Sequence, residues 1–257
     1  MHAALAAGKV QIGTWINLAR NPAILTLLKS AGLDYARVDM EHSSPSIETV
    51  ADMAALSRAL NFPLVVRPPE GSREWITRLL DNGVWGLHVP QVDTPEIAHQ
   101  IVEAARYAPL GMRGMAGLSP GTDFDTSLST ADRLAHLNKQ VHITVMLETV
   151  EAFTHLDEII SIDGIDAITL GPTDLAQSLG VYGTPRQSEV LDDHRHRLIA
   201  AAQAHAKHAA MLVDTLEEAE RWITAGVSII AYSSDAAVLR QTYAQAATRL
   251  HQAPIRV

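Results

Sequence analysis

Short apolar or β-branched runs alternate along the chain with longer stretches in which apolar residues recur three and four positions apart, the periods of a buried strand and of a helix face. The runs at 11–16, 35–40, 64–67, 86–89, 143–148, 167–170, 210–213 and 229–231 predict strands, each bounded by Gly, Pro, Asp or Ser. The stretches at 22–31, 47–60, 74–80, 95–105, 151–160, 190–205 and 216–225 predict helices, and a final Ala-rich helix is expected from about 236 to 251. Boundary chemistry agrees with the periodicity. Asn21-Pro22 and Thr94-Pro95-Glu96 each read as a cap followed by proline in the first turn, and Gly32, Gly83 and Gly226 read as helix stops. Eight uninterrupted βα units in 257 residues fit the closed α/β barrel, (β/α)8, of TIM type. An open doubly wound sheet fits less well, because no G-x-G-x-x-G follows the first strand. A single domain over 1–257 is expected. The one long irregular stretch, 111–127, is rich in Gly, Ser, Thr and Asp, and its length suits either a lid over the site or a loose insertion.

Composition narrows the class of partner. Hydrophobic residues at 47% and charged residues at 19% leave no tract that would stay disordered. A formal net charge of -9 without clustered Lys or Arg argues against a nucleic-acid surface. The absence of cysteine removes disulfides, thiolate nucleophiles and Cys-ligated zinc. The opening MHAALAAGKVQIG has no basic segment followed by a long apolar core, and no run approaches the length of a membrane span. A soluble, cytoplasmic protein acting on a small molecule is expected.

In such a barrel the active site is built at the C-terminal ends of the strands. Here those ends are polar: Asp39-Met40-Glu41-His42, Arg67-Pro68-Pro69, Glu148-Thr149 and Gly171-Pro172-Thr173-Asp174. Charged residues enter buried surroundings only when paired or bound to a ligand, so several strands ending this way imply a shared polar centre. Glu148 and Asp174 end neighbouring strands and could converge on one cation, and two carboxylates without Cys or paired His suit a hard ion such as Mg²⁺ or Mn²⁺. Each could equally cap the helix that follows its strand. Arg67 could clamp a carboxylate or a developing enolate oxygen, or form a structural ion pair. His42 is the one histidine of twelve at a predicted strand end beside acidic residues, a position suited to a general base. The other histidines, His194, His196, His205 and His208 among them, read as solvated.

The lysines argue by elimination. A Schiff-base mechanism needs a lysine projecting from a strand into the site, and Lys9, Lys29, Lys139 and Lys207 all fall on the other side of the barrel. A carbanion next to a carbonyl would then need a metal as its electron sink. The same scarcity counts against pyridoxal phosphate, and neither G-x-S-x-G nor G-x-x-x-x-G-K-[ST] occurs.

Several stretches together resemble the HpcH/HpaI family of class II pyruvate aldolases: Val38-Asp39-Met40-Glu41-His42, Val65-Val66-Arg67-Pro68, Leu79-Leu80-Asp81-Asn82-Gly83, Arg106 to Gly114, Leu147-Glu148-Thr149 and Gly171-Pro172-Thr173-Asp174-Leu175. They occur in order over nearly the whole chain. The resemblance implies a metal bound by Glu148 and Asp174 and chelated by the carboxylate and keto oxygens of pyruvate. It implies that Arg67 steadies the enolate, that His42 paired with Asp81 moves protons, and that backbone around Gly171 and Pro172 cradles the pyruvate carboxylate. Mg²⁺ or Mn²⁺ is the expected cofactor, with Co²⁺ a further candidate. It also implies a homo-oligomer, a hexamer in many members, whose last helix is exchanged with or packed on a neighbouring subunit.

The sequence departs from the family at three places. Met146 stands where many members carry Gln, residues 115–124 replace an Arg-containing continuation, and residues 210–214 read Ala-Met-Leu-Val-Asp. These leave the metal and enolate residues intact and bear on the acceptor. Three functions are weighed on that basis. The first is reversible aldol cleavage of a 4-hydroxy-2-oxo acid to pyruvate and an aldehyde through a metal-stabilised enolate. The second is a citrate-synthase-like or citryl-CoA-lyase-like reaction of oxaloacetate and acetyl-CoA on the same scaffold, although no Lys or Arg cluster stands out for the phosphates of coenzyme A. The third is a non-catalytic binder of carboxylates.

Overall fold

The computed structural model describes residues 1–253; the last four residues of the expected 1–257 domain lie outside the described residues. Eight parallel strands close into a barrel in chain order, with β1 (Gln11–Ile16) hydrogen-bonded to both β2 (Tyr35–Asp39) and β8 (Ile229–Ser234). Between them lie β3 (Leu64–Arg67), β4 (Gly86–Val89), β5 (His142–Leu147), β6 (Ala167–Leu170) and β7 (His208–Val213). After a short α1 (His2–Ala6) the outer helices are α2 (Ala23–Ser30), α3 (Ile47–Leu60), α4 (Arg73–Asp81), α5 (Pro95–Ala105), α6 (Thr130–Gln140), α7 (Val150–Thr154), α8 (Leu156–Ser161), α9 (Pro172–Ser178), α10 (Gln187–Ala204), α11 (Leu216–Ala225) and α12 (Asp235–His251). None is long and apolar enough to cross a membrane among the described residues.

Alternation along the strands sorts side chains between two cores. Outward residues such as Val38, Val66, Leu87, Ile143 and Ile168 pack with Val50, Met53, Ile76, Leu79 and Ile101 of the helices. Inward residues Tyr35, Val65, Ala167, Ala210 and Ile229 form a separate plug low in the barrel. Gly13 makes the plug possible, since a Cβ there would come 2.6 Å from the Tyr35 ring, whose hydroxyl donates to the Ile230 carbonyl at 3.0 Å. Above the plug the inward residues turn polar, with Arg37, His88, Thr144 and Thr169 all buried.

The helix signals act as the sequence predicts: Thr94 accepts from the Ile97 N–H ahead of Pro95, and Gly32, Gly83 and Gly226 adopt φ of 91°, 89° and 114°. Elsewhere the boundaries move. The stretch 151–160 is broken at His155 into α7 and α8, and the strand expected at 229–231 continues to Ser234. Helix α6 has no counterpart in the periodicity, because its apolar positions are few and its only fully buried residue is Leu137.

The segment 111–127 is not a lid over the strand ends. It connects α5 to α6 and so lies on the rim where the strands begin. Two ion pairs hold it there, Asp123 to Arg58 at the end of α3 and Arg113 to Asp81 at 2.7 Å. A Cβ on Gly121 would collide with the end of α4, 2.5 Å from the Leu80 carbonyl oxygen. The segment therefore packs as a clasp under α3 and α4, which also removes the alternative of a loose insertion.

Candidate active site

A cavity of about 530 Å³ opens where the strands end. His42 after β2, Arg67 at the end of β3, Glu148 after β5, and Gly171, Pro172 and Asp174 after β6 all line it. Six of the seven residues singled out in the sequence thus share one space.

Asp81 does not join them. It terminates α4 on the opposite rim and accepts a hydrogen bond from Arg113 Nη2 at 2.7 Å, so within the chain it does not pair with His42. The nearest carboxylate to His42 is Glu41, 3.6 Å from its Nε2, and the imidazole is largely exposed at the cavity mouth. The turn that carries both is organised by Asp39, whose Oδ1 accepts from the Glu41 and His42 N–H groups at 3.0 and 3.3 Å.

Arg67 is held on two sides. Its Nε and Nη2 donate in parallel to Asp39 at 2.8 Å each, Nη1 meets Glu41 at 3.0 Å, and the guanidinium lies 4.6 Å from the centre of the Trp15 ring. Two of its five N–H donors are used by Asp39, which with the charge contact to Glu41 fixes the plane of the group and leaves the rest for a ligand. Burial pushes the Asp39 carboxyl up, but the hydrogen bonds and charge of Arg67 outweigh it and hold the group below the ordinary range. Burial raises Glu41 despite Arg67. The clamp and ion-pair readings of Arg67 are therefore compatible: the pair positions the clamp.

Glu148 is 4% exposed and has one hydrogen bond, from the Gln91 N–H to Oε1 at 2.7 Å. Gln91 presents that N–H from a left-handed backbone, φ 55°, directly after β4. Burial raises the Glu148 carboxyl to about 7 against the Gln91 hydrogen bond, with the charges of Glu41 and Asp174 adding to the rise. Gly171 is required beside it, since a Cβ there would overlap Glu148 Oε2 and lie 2.7 Å from its Cβ. Asp174 sits in the first turn of α9, whose N-cap is Gly171 and which has no side-chain cap, so Asp174 does not serve as the cap considered from the sequence. It is exposed and has no side-chain partner among the described residues. A buried carboxylate with an unanswered oxygen, facing a second free carboxylate across the cavity, fits a hard divalent cation.

The lysines lie elsewhere: Lys29 and Lys207 donate to the carbonyls of Leu60 and Ile165, and Lys139 ends α6. Three histidines depart from the solvated reading: His208, at the start of β7, is half-buried and meets the Ser228 hydroxyl at 3.0 Å, and two others lie deeper. His88 and His142 are 1% exposed inside the barrel, and His88 lines the cavity with Trp15 and Arg37. Sequence reasoning passes over these three cavity residues; the signal available is a charged or polar residue at an inward position of a strand otherwise apolar, as in Tyr35-Ala36-Arg37-Val38.

Comparison with known proteins agrees with this architecture. Residues 11–242 match the HpcH/HpaI aldolase/citrate lyase family model. The chain is 36% identical over 239 residues to a 5-keto-4-deoxy-D-glucarate aldolase of Escherichia coli O157:H7, covering 93% of this chain and 91% of that one. Its structure is similar to that of an HpcH/HpaI aldolase from Desulfitobacterium hafniense DCB-2, with TM-score 0.93, 28% identity and coverage of 99% and 97%. It is also similar to the citrate synthase SbnG, with TM-score 0.86, 25% identity and 98% of each chain covered. With a closed eight-stranded barrel, a carboxylate-lined cavity at the strand ends and a family match over most of its length, the chain belongs to the HpcH/HpaI aldolase/citrate lyase family.

Proposed function

We propose that this protein is a single-domain class II aldolase that reversibly cleaves a 4-hydroxy-2-oxo acid to pyruvate and an aldehyde, with Glu148 and Asp174 as ligands of Mg²⁺ or Mn²⁺, Co²⁺ being a further candidate. The aldol reaction class follows from family membership and from the likeness to a 5-keto-4-deoxy-D-glucarate aldolase. One observation carries the assignment of the ligands: Glu148 is buried, is pushed up to about 7, and shares its cavity with the unpaired Asp174. When bound, the cation supplies Lewis-acid stabilisation of negative charge developing next to the carbonyl.

The chain's own groups do the rest. Arg67, immobilised by Asp39 and Glu41, turns its remaining N–H groups toward the oxygen that gains charge. The start of α9 cradles the carboxylate of pyruvate beside Gly171 and Pro172: Gly171 spends its N–H on the Leu147 carbonyl and Pro172 has none, so the donors are the N–H groups of Thr173 and Asp174, which lack helical partners. His42 takes and returns the proton of the 4-hydroxyl at the cavity mouth, with Glu41 beside it in the same chain. The substrate is thus held at the acid-lined rim while the proton donor stays in contact with water.

Exchange of the pyruvate methyl hydrogens in heavy water tests the reading without a choice of acceptor. Exchange is expected only with added cation and is expected to vanish in Glu148→Ala and Asp174→Ala; both variants turning over at the wild-type rate in chelator would end the proposal. A citrate-type condensation is the second reading, favoured by the likeness to citrate synthase SbnG, and release of free coenzyme A with oxaloacetate present distinguishes it. The last helix, α12, has no buried residue and exposes Leu239, Tyr243 and Leu250, a face suited to packing on another copy of the chain. Sedimentation of the protein and of Tyr243→Asp reads that association.

A further inference from the structure

The floor of the barrel, at the end away from the strand-end cavity, carries a cluster that the chemistry above does not use. Helix α1 lies across it. Leu5 joins Tyr35, Val65, Ala167, Ala210 and Ile229 in the inner plug, and His2 meets His142, the first residue of β5, with ring centres 5.2 Å apart. With Asp166, the residue before β6, these two histidines can each offer one ligand atom such that the three atoms lie within 4.8 Å of one another. His208 flanks the group, its N–H donating to the Asp166 carbonyl at 3.1 Å. A cavity of about 210 Å³ lined by His2, Trp85 and His142 gives an ion a way in.

The hydrogen bonds around the cluster leave each of the three groups one atom to give. His142 is 1% exposed; its Nε2 lies 3.2 Å from the Thr144 hydroxyl, and its Nδ1 is buried with no partner among the described residues. An unanswered polar atom at that depth is costly, so a ligand for it has something to offset. His2 Nε2 lies 3.1 Å from the Val141 carbonyl, which can only accept, so Nε2 carries the proton and Nδ1 the lone pair. Asp166 Oδ2 accepts from Arg106 at 2.6 Å and from the Ile143 N–H at 2.7 Å, while Oδ1 has no hydrogen bond among the described residues. Burial holds His142 down to about 3, so its ring is neutral, the form that coordinates. A carbonyl or hydroxyl on the second nitrogen is the contact that orients a metal-bound imidazole. Two imidazoles and a carboxylate suit Zn²⁺, in contrast to the all-oxygen pair Glu148 and Asp174. Bonds of about 2.0–2.1 Å in a tetrahedral site set the donor atoms about 3.4 Å apart, a closure of about 1.4 Å at most that rotation of the half-buried His2 side chain supplies.

We propose that His2, His142 and Asp166 bind one Zn²⁺ on the barrel floor, with water as the fourth ligand, and that the ion pins α1 over the inner plug. The role is structural. It is independent of the aldolase reading, because the ligands lie at the opposite end of the barrel from Glu148 and Asp174 and share no residue with the strand-end cavity.

The experiment is calorimetric titration of the untagged, metal-stripped full chain with Zn²⁺. It is made in Glu148→Gln, which removes a ligand of the strand-end site, and in the same protein carrying His2→Gln or His142→Gln in addition. Glu148→Gln alone is expected to bind one Zn²⁺ per chain and to gain roughly 5–10 °C in melting temperature at about a hundredfold excess over Kd. Adding His2→Gln or His142→Gln is expected to lower the affinity at least about tenfold. His2 is half-buried on a short helix, so His2→Gln keeps the test decisive where the buried His142→Gln fails to fold. Amide hydrogen exchange over α1 should slow when Zn²⁺ is added and should not slow with His2→Gln present. Absence of Zn²⁺ binding in Glu148→Gln overturns the proposal, and so does an affinity that His2→Gln leaves unchanged. Binding that leaves exchange over α1 as fast as before overturns the pinning role.

Discussion

Glu148→Gln isolates the charge for which the active-site cavity is built. The glutamate is 4% exposed, and its carboxyl is raised from 4.5 to about 7, chiefly by burial. At about 1.4 kcal/mol for each tenfold change in proton affinity, ionising it in the folded protein without a cation costs about 3 kcal/mol relative to the unfolded chain. The sign follows from the direction: a carboxyl whose folded value lies above its unfolded one contributes its full stability below about pH 4.5 and loses it as pH rises through about 7. In chelator, therefore, the wild type should lose stability between about pH 5 and 8 that the Glu148→Gln variant retains, since the amide keeps the size and the Gln91 N–H contact but never ionises. For a chain of this length about 3 kcal/mol corresponds to roughly 6–12 °C in melting temperature. The assay is thermal unfolding of both proteins across that range, read as their difference so that the other titrating groups cancel. Adding Mg²⁺ at about pH 8 should restore the wild type and leave the variant unchanged, because the ion stabilises only the form that binds it. Parallel curves for the two proteins in chelator, or equal stabilisation of both by Mg²⁺, would refute this reasoning.

Three further substitutions follow from particular contacts. Gly171→Ala places a methyl group against the Glu148 carboxylate and should lower cation affinity at least about tenfold, measured by Mn²⁺ titration, while the barrel stays folded. Arg67→Lys loses the parallel bonds to Asp39 and leaves two buried carboxylates poorly answered; a cost of about 3 kcal/mol in denaturant unfolding is expected, with kcat falling more than pyruvate affinity. Arg106→Met, at the opposite rim, removes bonds to the carbonyls of Gly164, Asn138 and Val141 and the 2.6 Å pair with Asp166. It should destabilise by about 3–5 kcal/mol without altering kcat of the folded enzyme at low temperature.

What is legible in the sequence follows how each feature is encoded. Strand and helix positions are written in local periodicity and punctuation, so β3, β4 and β6 fall where the pattern puts them. The rim residues Arg67, Glu148 and Asp174 are also local signals, because a charge at the end of an apolar run has few structural uses. Rim assignment is different. Asp81 and the segment 111–127 belong to the connections between helices and the following strands, and chain topology sends those to the end of the barrel away from the site. Applied to the sequence, that topology places Asp81 on the rim away from His42 of the same chain, where it meets Arg113. Arg37 and His88 escape notice for another reason: inside a barrel strand the face matters more than the neighbours, and only the alternation from Tyr35 through Arg37 to Asp39 shows that the guanidinium points inward.

The charges around the cavity decide the order in which ligands can enter it. At the rim, Asp39, Glu41, Glu148, Asp174 and Asp214 face the single guanidinium of Arg67, an excess of four negative charges that attracts a cation and repels a bare carboxylate. A dication cuts that excess to two and offers open positions to chelating oxygens. A 2-oxo acid is therefore expected to bind only after the cation, so pyruvate affinity measured by calorimetric titration should rise with Mg²⁺ in the wild type and stay weak at every Mg²⁺ concentration in Asp174→Ala; tight binding of pyruvate in chelator would refute this order.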